Sequence, residues 1–298
     1  MSFRLFACAG SPDVAVPAGP VLTDTAREVT EVARFRDARA LAADPAGRLY
    51  VVEAAESAVV VLDARGLPVA SLGGPGSGDY SFLEPHDVDP ANGLDLFVAD
   101  AGNARIQRLS ADGRFIETIP VPVGDPERMR PDRPADPSDP AQRGRPVAVA
   151  VGPAGSLYAV EAERGVVLRW DTGRRLSRRL GADGSGALAD PTDLVVSGDG
   201  RVFVADAGLG AVLVYDDLGA LVRAVPGEAA GGVVAVGLAP SQDGARLLVV
   251  GPRAVAVHRA DGGLVEVIRV GGSEPLVGAA VSGGVLHMLT PTRLLRVE

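Results

Sequence analysis

Six copies of one pattern run along this chain, and the sixth stops short of its last segment. An aromatic or large residue follows a turn glycine at Tyr50, Phe97, Tyr158, Phe203, Leu248 and His287. The gaps between them are 47, 61, 45, 45 and 39 residues. In the first four copies an acid stands three residues on, at Glu53, Asp100, Glu161 and Asp206. The first five copies carry a second turn glycine 18 to 20 residues after the first, from Gly47 and Gly66 to Gly244 and Gly262. In the sixth, which begins at Gly284, that second glycine would fall beyond Glu298. A period of this size marks supersecondary units that bury their apolar faces only by stacking on their neighbours.

The fourth copy shows what one unit is. Asp193-Leu-Val-Val, Arg201-Val-Phe-Val-Ala, Ala211-Val-Leu-Val-Tyr and Ala220-Leu-Val-Arg-Ala-Val are short β-branched runs separated by Gly/Asp turns, with no helical period. Four antiparallel strands in about 45 residues make one propeller blade. First strands such as Val147-Ala-Val-Ala-Val are small and apolar, which predicts burial on both faces at a crowded hub. Last strands such as Leu264-Val-Glu-Val-Ile-Arg carry charges, as an outer edge that must resist pairing requires. The sixth copy ends with its third strand at Leu294-Leu-Arg-Val, while a spare rim-type strand, Glu28 to Phe35, precedes the first hub strand. The chain therefore reads as an all-β, six-bladed propeller of four-stranded antiparallel blades. Its last blade is completed by the N-terminal strand, so no edge is left bare at the seam. The propeller spans 27–298, after a loose tether over 1–26.

The second copy, Pro85-His-Asp-Val-Asp followed by Leu96-Phe-Val-Ala-Asp100 and Asn103-Ala-Arg105-Ile, resembles the NHL repeat. The fourth keeps Pro191-Thr-Asp193 and Phe203-Val-Ala-Asp206, the first and third keep the second strand and its acid, and the last two are degenerate. The resemblance covers roughly residues 28 to 298 and implies the propeller fold. It implies little about activity, because this fold hosts many functions.

All 29 basic residues are Arg, and the net charge is −9, which argues against a general nucleic-acid or anionic-membrane surface. No run of eighteen apolar residues occurs, so no helical membrane span is expected. The single cysteine, Cys8, sits in Leu5-Phe-Ala-Cys before a Pro/Ala/Gly stretch and looks like a lipoprotein cleavage box. Only seven residues precede it, one of them Arg4, so the apolar segment of an export signal is missing from the chain as written. Two readings stand: an upstream start supplies the signal, giving an extracytoplasmic, lipid-anchored protein, or Cys8 is an ordinary thiol in a cytoplasmic one.

The copies provide an internal control on the histidines. His287 aligns with Tyr50 and Phe97, and His258 with Leu62 and Trp170, so both are expected in the core. His86 alone stands at the mouth of a hub strand. The residues expected at these mouths are Arg39, His86, Asp87, Arg145 and Asp193. Asp87 and Asp193 have two readings, as braces to backbone amides of the neighbouring blade or as ligand-binding groups. In the second reading mixed Arg and Asp favour a polar or zwitterionic ligand over a metal ion, which needs converging carboxylates. Glu53, Asp100, Glu161 and Asp206 are read as acceptors for turn amides, and Asp100, Asn103 and Arg105 as a local polar network. The insertion 121–146 holds seven prolines and balanced charge, so it is read as an extended loop, or as a flap over the mouth. Arg174, Arg175, Arg178 and Arg179 are read as protection of one rim strand.

No nucleophile–base pair, phosphate loop or metal cluster emerges, and no cofactor or metal is expected. The expectation is a monomeric, non-enzymatic propeller that binds a protein or a small polar ligand at its central mouth, with no nucleic acid. The alternative is a hydrolase or lyase, similar to lactonases or to the peptide-amidating lyases related to NHL proteins, with a metal at that mouth.

Overall fold

Period-two alternation places the strands. In the second strand of each copy, successive side chains point to opposite faces of the sheet, and both sets are apolar. A sheet that is apolar on both faces must be covered on both, and a ring of six satisfies every sheet at once. The computed structural model describes residues 29–91, 93–123, 143–182, 184–241 and 244–297, and it is such a ring. Cys8, the proposed tether and the middle of the 121–146 insertion lie outside the described residues.

Blade one comprises β2 (Ala38–Ala43), β3 (Leu49–Glu53), β4 (Ala58–Leu62) and β5 (Pro68–Gly73). Blade two is β6 (Pro85–Asp89), β7 (Asp95–Asp100), β8 (Arg105–Ser110) and β9 (Phe115–Pro120). Blade three is β10 (Pro146–Val151), β11 (Leu157–Glu161), β12 (Val166–Trp170) and β13 (Leu176–Leu180). Blade four is β14 (Pro191–Val196), β15 (Val202–Asp206), β16 (Ala211–Tyr215) and β17 (Leu221–Pro226). Blade five is β18 (Ala235–Ala239), β19 (Arg246–Val250), β20 (Ala254–His258) and β21 (Leu264–Arg269). Blade six joins β22 (Gly278–Ser282), β23 (Val285–Leu289) and β24 (Arg293–Val297) to the N-terminal β1 (Val29–Arg34). β1 runs antiparallel to β24, with Val29 opposite Val297 and Arg34 opposite Arg293. No helix is long and apolar enough to cross a membrane among the described residues.

The core is six layers, one between each pair of adjacent blades. Leu49 and Val51 face blade six with Leu289 and Leu294, whereas Tyr50 and Val52 face blade two with Leu96 and Val98. Blade five repeats the division: Leu247 and Val249 pack on blade four, Leu248 and Val250 on blade six. His258 and His287 are buried on the third and second strands of blades five and six.

Two details differ from the sequence reading. The hub strands β10, β18 and β22 are mostly buried, but β2, β6 and β14 are largely half-buried where they border an axial channel. In the third copy the left-handed turn position falls on Arg174 (φ 59°), not on Gly173. The hydrogen bonds set this register: Arg174 N donates to Asp171 O as Gly219 N donates to Asp216 O in blade four. Arg174 is thereby aimed across the blade boundary. Its guanidinium lies 5.3 Å from the Phe97 ring centre, donates to Glu117 at 3.1 Å, and ties blade three to blade two. Arg178 and Arg179 alone of the four arginines lie on the rim strand β13.

The reading of the acids that close the second strands as turn acceptors holds for Glu161 and Asp206; Glu53 and Asp100 make no side-chain cap to the turn that follows and accept instead from amides of the chain entering their blade. Asp206 accepts from Leu209 N in the turn (2.8 Å) and from Ala189 N (2.8 Å) and Asp190 N (3.1 Å) where the chain enters the same blade. Glu161 does the same with Glu163 N, Arg164 N and Arg145 N. Glu53 accepts from the entering amides of Arg36 and Asp37. Blade five has Gly251 at this position. A Cβ there would stand 2.1 Å from the Ala230 carbonyl oxygen, so the main chain fills the space that the carboxylate occupies elsewhere.

Candidate functional site

Bulges set the mouth of the channel. In the first four blades the pairing of the first two strands skips one residue just after the hub strand begins: Arg39, His86, Val147 and Thr192. A bulged residue leaves the ladder and its side chain is re-aimed. Here it turns toward the axis at one end of the ring. Arg39 Nη1 lies 3.0 Å from His86 Nε2, and Arg145 Nη2 approaches the same nitrogen at 3.1 Å from the far side. Both contacts are donated by guanidinium, so Nε2 is the acceptor and the imidazole is neutral. Burial pushes the His86 pKa down to about 4, and the charges of Arg39 and Arg145 push the same way. Two exposed acids complete the rim: Asp37 pairs with Arg39 at 3.1 Å and Glu84 lies 3.7 Å from Arg145.

One position deeper the wall reads Ala40, Asp87, Asp193, Ala235 and Gly278, while Ala148 at the equivalent position of blade three is buried against blade four. Asp87 Oδ2 accepts from Val149 N of blade three at 2.7 Å, and Asp193 Oδ2 from Val236 N of blade five at 2.9 Å. Deeper again, Asp89 Oδ2 accepts from Val151 N at 2.6 Å. These three carboxylates tie neighbouring hub strands through amides that an edge strand leaves free. The channel they line encloses about 480 Å³.

Each carboxylate is held above its ordinary range. Burial raises Asp87 well above it, and the negative charge of Asp193 adds to this. Burial lifts Asp193 to about 7 and Asp89 to about 6, against the opposing effect of their amide donors. The folded protein thus holds protons that the unfolded chain releases near the ordinary value of 3.8. That contribution to stability is complete below pH 3.8 and is lost as pH rises through about 7. His86 acts in the opposite sense, losing stability as pH falls from 6.5 toward 4. Subtracting variant from wild type isolates the acid. The midpoint of Asp193→Asn, relative to wild type, should rise between pH 4 and about pH 7 in thermal melts and level off above that, and a flat difference would contradict the assignment.

The sequence-predicted residues are therefore partly gathered. Arg39, His86 and Arg145 form one contact cluster from three blades, with Asp87 and Asp193 beneath it in the channel. Asp100, Asn103 and Arg105 stand away from this channel. Asn103 Nδ2 and Arg105 Nε donate to Asp100 Oδ2 at 2.8 and 2.7 Å, and both side chains also reach carbonyls between blades one and two, at Gly76, Gly78 and Ser81. The sequence reading missed Asp89, although Asp87-Val-Asp89 on one strand places both acids on the same face. It also missed Asp37 and Glu84. The ends of the insertion are pinned beside Arg145, where Pro122 pairs with Arg143 and Gly144 N donates to Val121 O at 2.8 Å; residues 124–142 lie outside the described residues. Among the described residues no group of three or more His, Cys, Asp or Glu side chains is placed to hold a metal ion.

No family model matches the chain. Solved structures do resemble it. A streptogramin B lyase structure superposes with a TM-score of 0.63 at 10% identity, covering 91% of this chain and 97% of the other. Two structures of virginiamycin B lyase from Staphylococcus aureus superpose with TM-scores of 0.59 at 11% and 12% identity, each covering 88% of this chain and 82% of the other. One of those is a catalytically inactive histidine-to-alanine variant with quinupristin. At such identities the likeness is one of fold: this chain is an all-β, six-bladed propeller closed by its N-terminal strand.

Proposed function

We propose that this protein is a non-enzymatic propeller that binds a small polar molecule at the central mouth. One observation carries the reading: Arg39 and Arg145, from different blades, converge on a single neutral His86 at the mouth of the axial channel. Their acidic partners, Asp37 and Glu84, have side chains 45% and 57% exposed. Exposed ion pairs are weak, so a ligand can replace them.

A second reading, a lyase or hydrolase working at the same mouth, draws on the shared fold with streptogramin B lyase and on a histidine at the mouth. The setting of His86 weighs against it as a general base. Its lone pair already faces two guanidinium donors, and a proton gained there would place a third positive charge beside them.

Equilibrium dialysis of the full chain against a pool of cell metabolites, read by mass spectrometry, separates the two. Binding predicts a molecule that is retained and recovered unchanged, and lost from Arg39→Ala. A pool component consumed with formation of a product would overturn the non-enzymatic reading. Retention of nothing would remove the mouth as a binding site.

A further inference from the structure

The channel is electrically two-layered, and its lower layer lacks a counter-charge. At the mouth stand Arg39 and Arg145. Below them Asp87, Asp89 and Asp193 face the cavity, and among its described lining residues the only basic side chains are Arg39 and His86, both at the top. Asp87 and Asp193 line the same space from blades two and four. Their partners are backbone amides, Val149 N for Asp87 and both Val236 N and Leu194 N for Asp193, which bring no positive charge. The other residues of the layer that line the channel are Ala40, Ala235 and Gly278, which leave its middle open rather than filled.

An anion entering between the guanidiniums meets two forked donors. A second negative charge further in would find no positive group among Asp87, Asp89 and Asp193. A positive charge at that depth would supply the missing partner and favour the ionised form of Asp87 and Asp193, in a medium that screens poorly. Resting on the binding reading above, we infer that the ligand is a small amino carboxylate, its carboxylate held by Arg39 and Arg145 and its ammonium directed down the channel to Asp87 and Asp193. Successive strand residues rise about 3.3 Å, so the two layers suit charges separated by a short aliphatic spacer rather than by a long chain.

The test is calorimetric titration of the full chain with unbranched amino carboxylates from glycine to 6-aminohexanoate, each beside its matched alkanoate and alkylamine. At least one amino carboxylate should bind tenfold or more tightly than both of its matched single-charge analogues. Asp193→Asn should reduce that advantage to less than threefold while sparing alkanoate binding, and Arg39→Gln should weaken both. Circular dichroism confirms that each variant is folded, and the wild-type series stands without the variants. If alkanoates bind as well as the amino carboxylates, the mouth is an anion site and the zwitterion inference fails alone. Should alkylamines bind best, the orientation is wrong. If no compound binds, both this inference and the mouth as a site for small carboxylates fail.

Discussion

Removal of residues 1–35 should abolish cooperative unfolding of the propeller and leave a protein that self-associates. β1 supplies five residue pairs to β24. Phe35 N and Ala38 N donate to Thr292 O and Pro291 O at 2.8 Å, so the seam continues into blade one. Val32, Ala33 and Phe35 pack against the layer between blades six and one, and Val29 against the layer between blades five and six. At about 1 kcal/mol for each of roughly five ladder hydrogen bonds, the strand contributes about 5 kcal/mol before any apolar burial. A domain is stable by only about 5–15 kcal/mol, so its loss consumes a large share of the total. It also bares the edge of β24, a template for pairing with other chains. Denaturant titration and analytical ultracentrifugation read the two effects. A peptide spanning 28–36, added in trans, should recover part of the transition. A truncated chain that stays monomeric with a wild-type midpoint would show that the ring does not depend on its seam.

Asp206→Ala should lower stability by about 2–4 kcal/mol, the sum expected when three part-buried amide hydrogen bonds to one buried carboxylate are lost at roughly 1–1.5 kcal/mol each with rescue of the amides by water. Asp206 is fully buried, and its two oxygens serve Ala189 N, Asp190 N and Leu209 N. The first two lie where the chain enters blade four and the third in the turn that leaves β15, so one carboxylate fixes both ends of the β14–β15 hairpin. Asp206→Asn should fall between wild type and Asp206→Ala, because one carbonyl oxygen remains while the new NH₂ faces an amide donor. Urea denaturation with an unchanged slope measures the loss. A cost below about 1 kcal/mol would mean that these amides find other acceptors.

Much of this fold is legible because its causes are local. Turn glycines and alternating apolar residues act within a few positions, so they mark strands without any knowledge of the ring. The spare strand at Val29–Arg34 and the missing one after Val297 could be matched because a propeller leaves no unpaired edge. The histidines were placed by comparing equivalent positions, and His258 and His287 are buried. The same procedure misaligned the third copy by one residue, because Arg174 adopts the left-handed conformation that glycine adopts in the others. A backbone conformation that glycine accepts more readily than arginine leaves no signal when arginine accepts it.

The candidate site is less legible. Sequence placed Arg39, His86 and Arg145 at one face, but the atoms that meet are 47 and 59 residues apart. Nothing local states that two guanidiniums will share one imidazole nitrogen. That depends on bulges which lift Arg39 and His86 out of their ladders, and on ring curvature bringing three hub strands within a side chain's reach. The sequence by itself determined the repeating sheet, the number of blades and the strand that seals them, since each follows from alternation and turn chemistry. The tertiary structure alone decided the charge order along the channel, because side chains from separate blades acquire a common field only after the ring closes around a poorly screened interior.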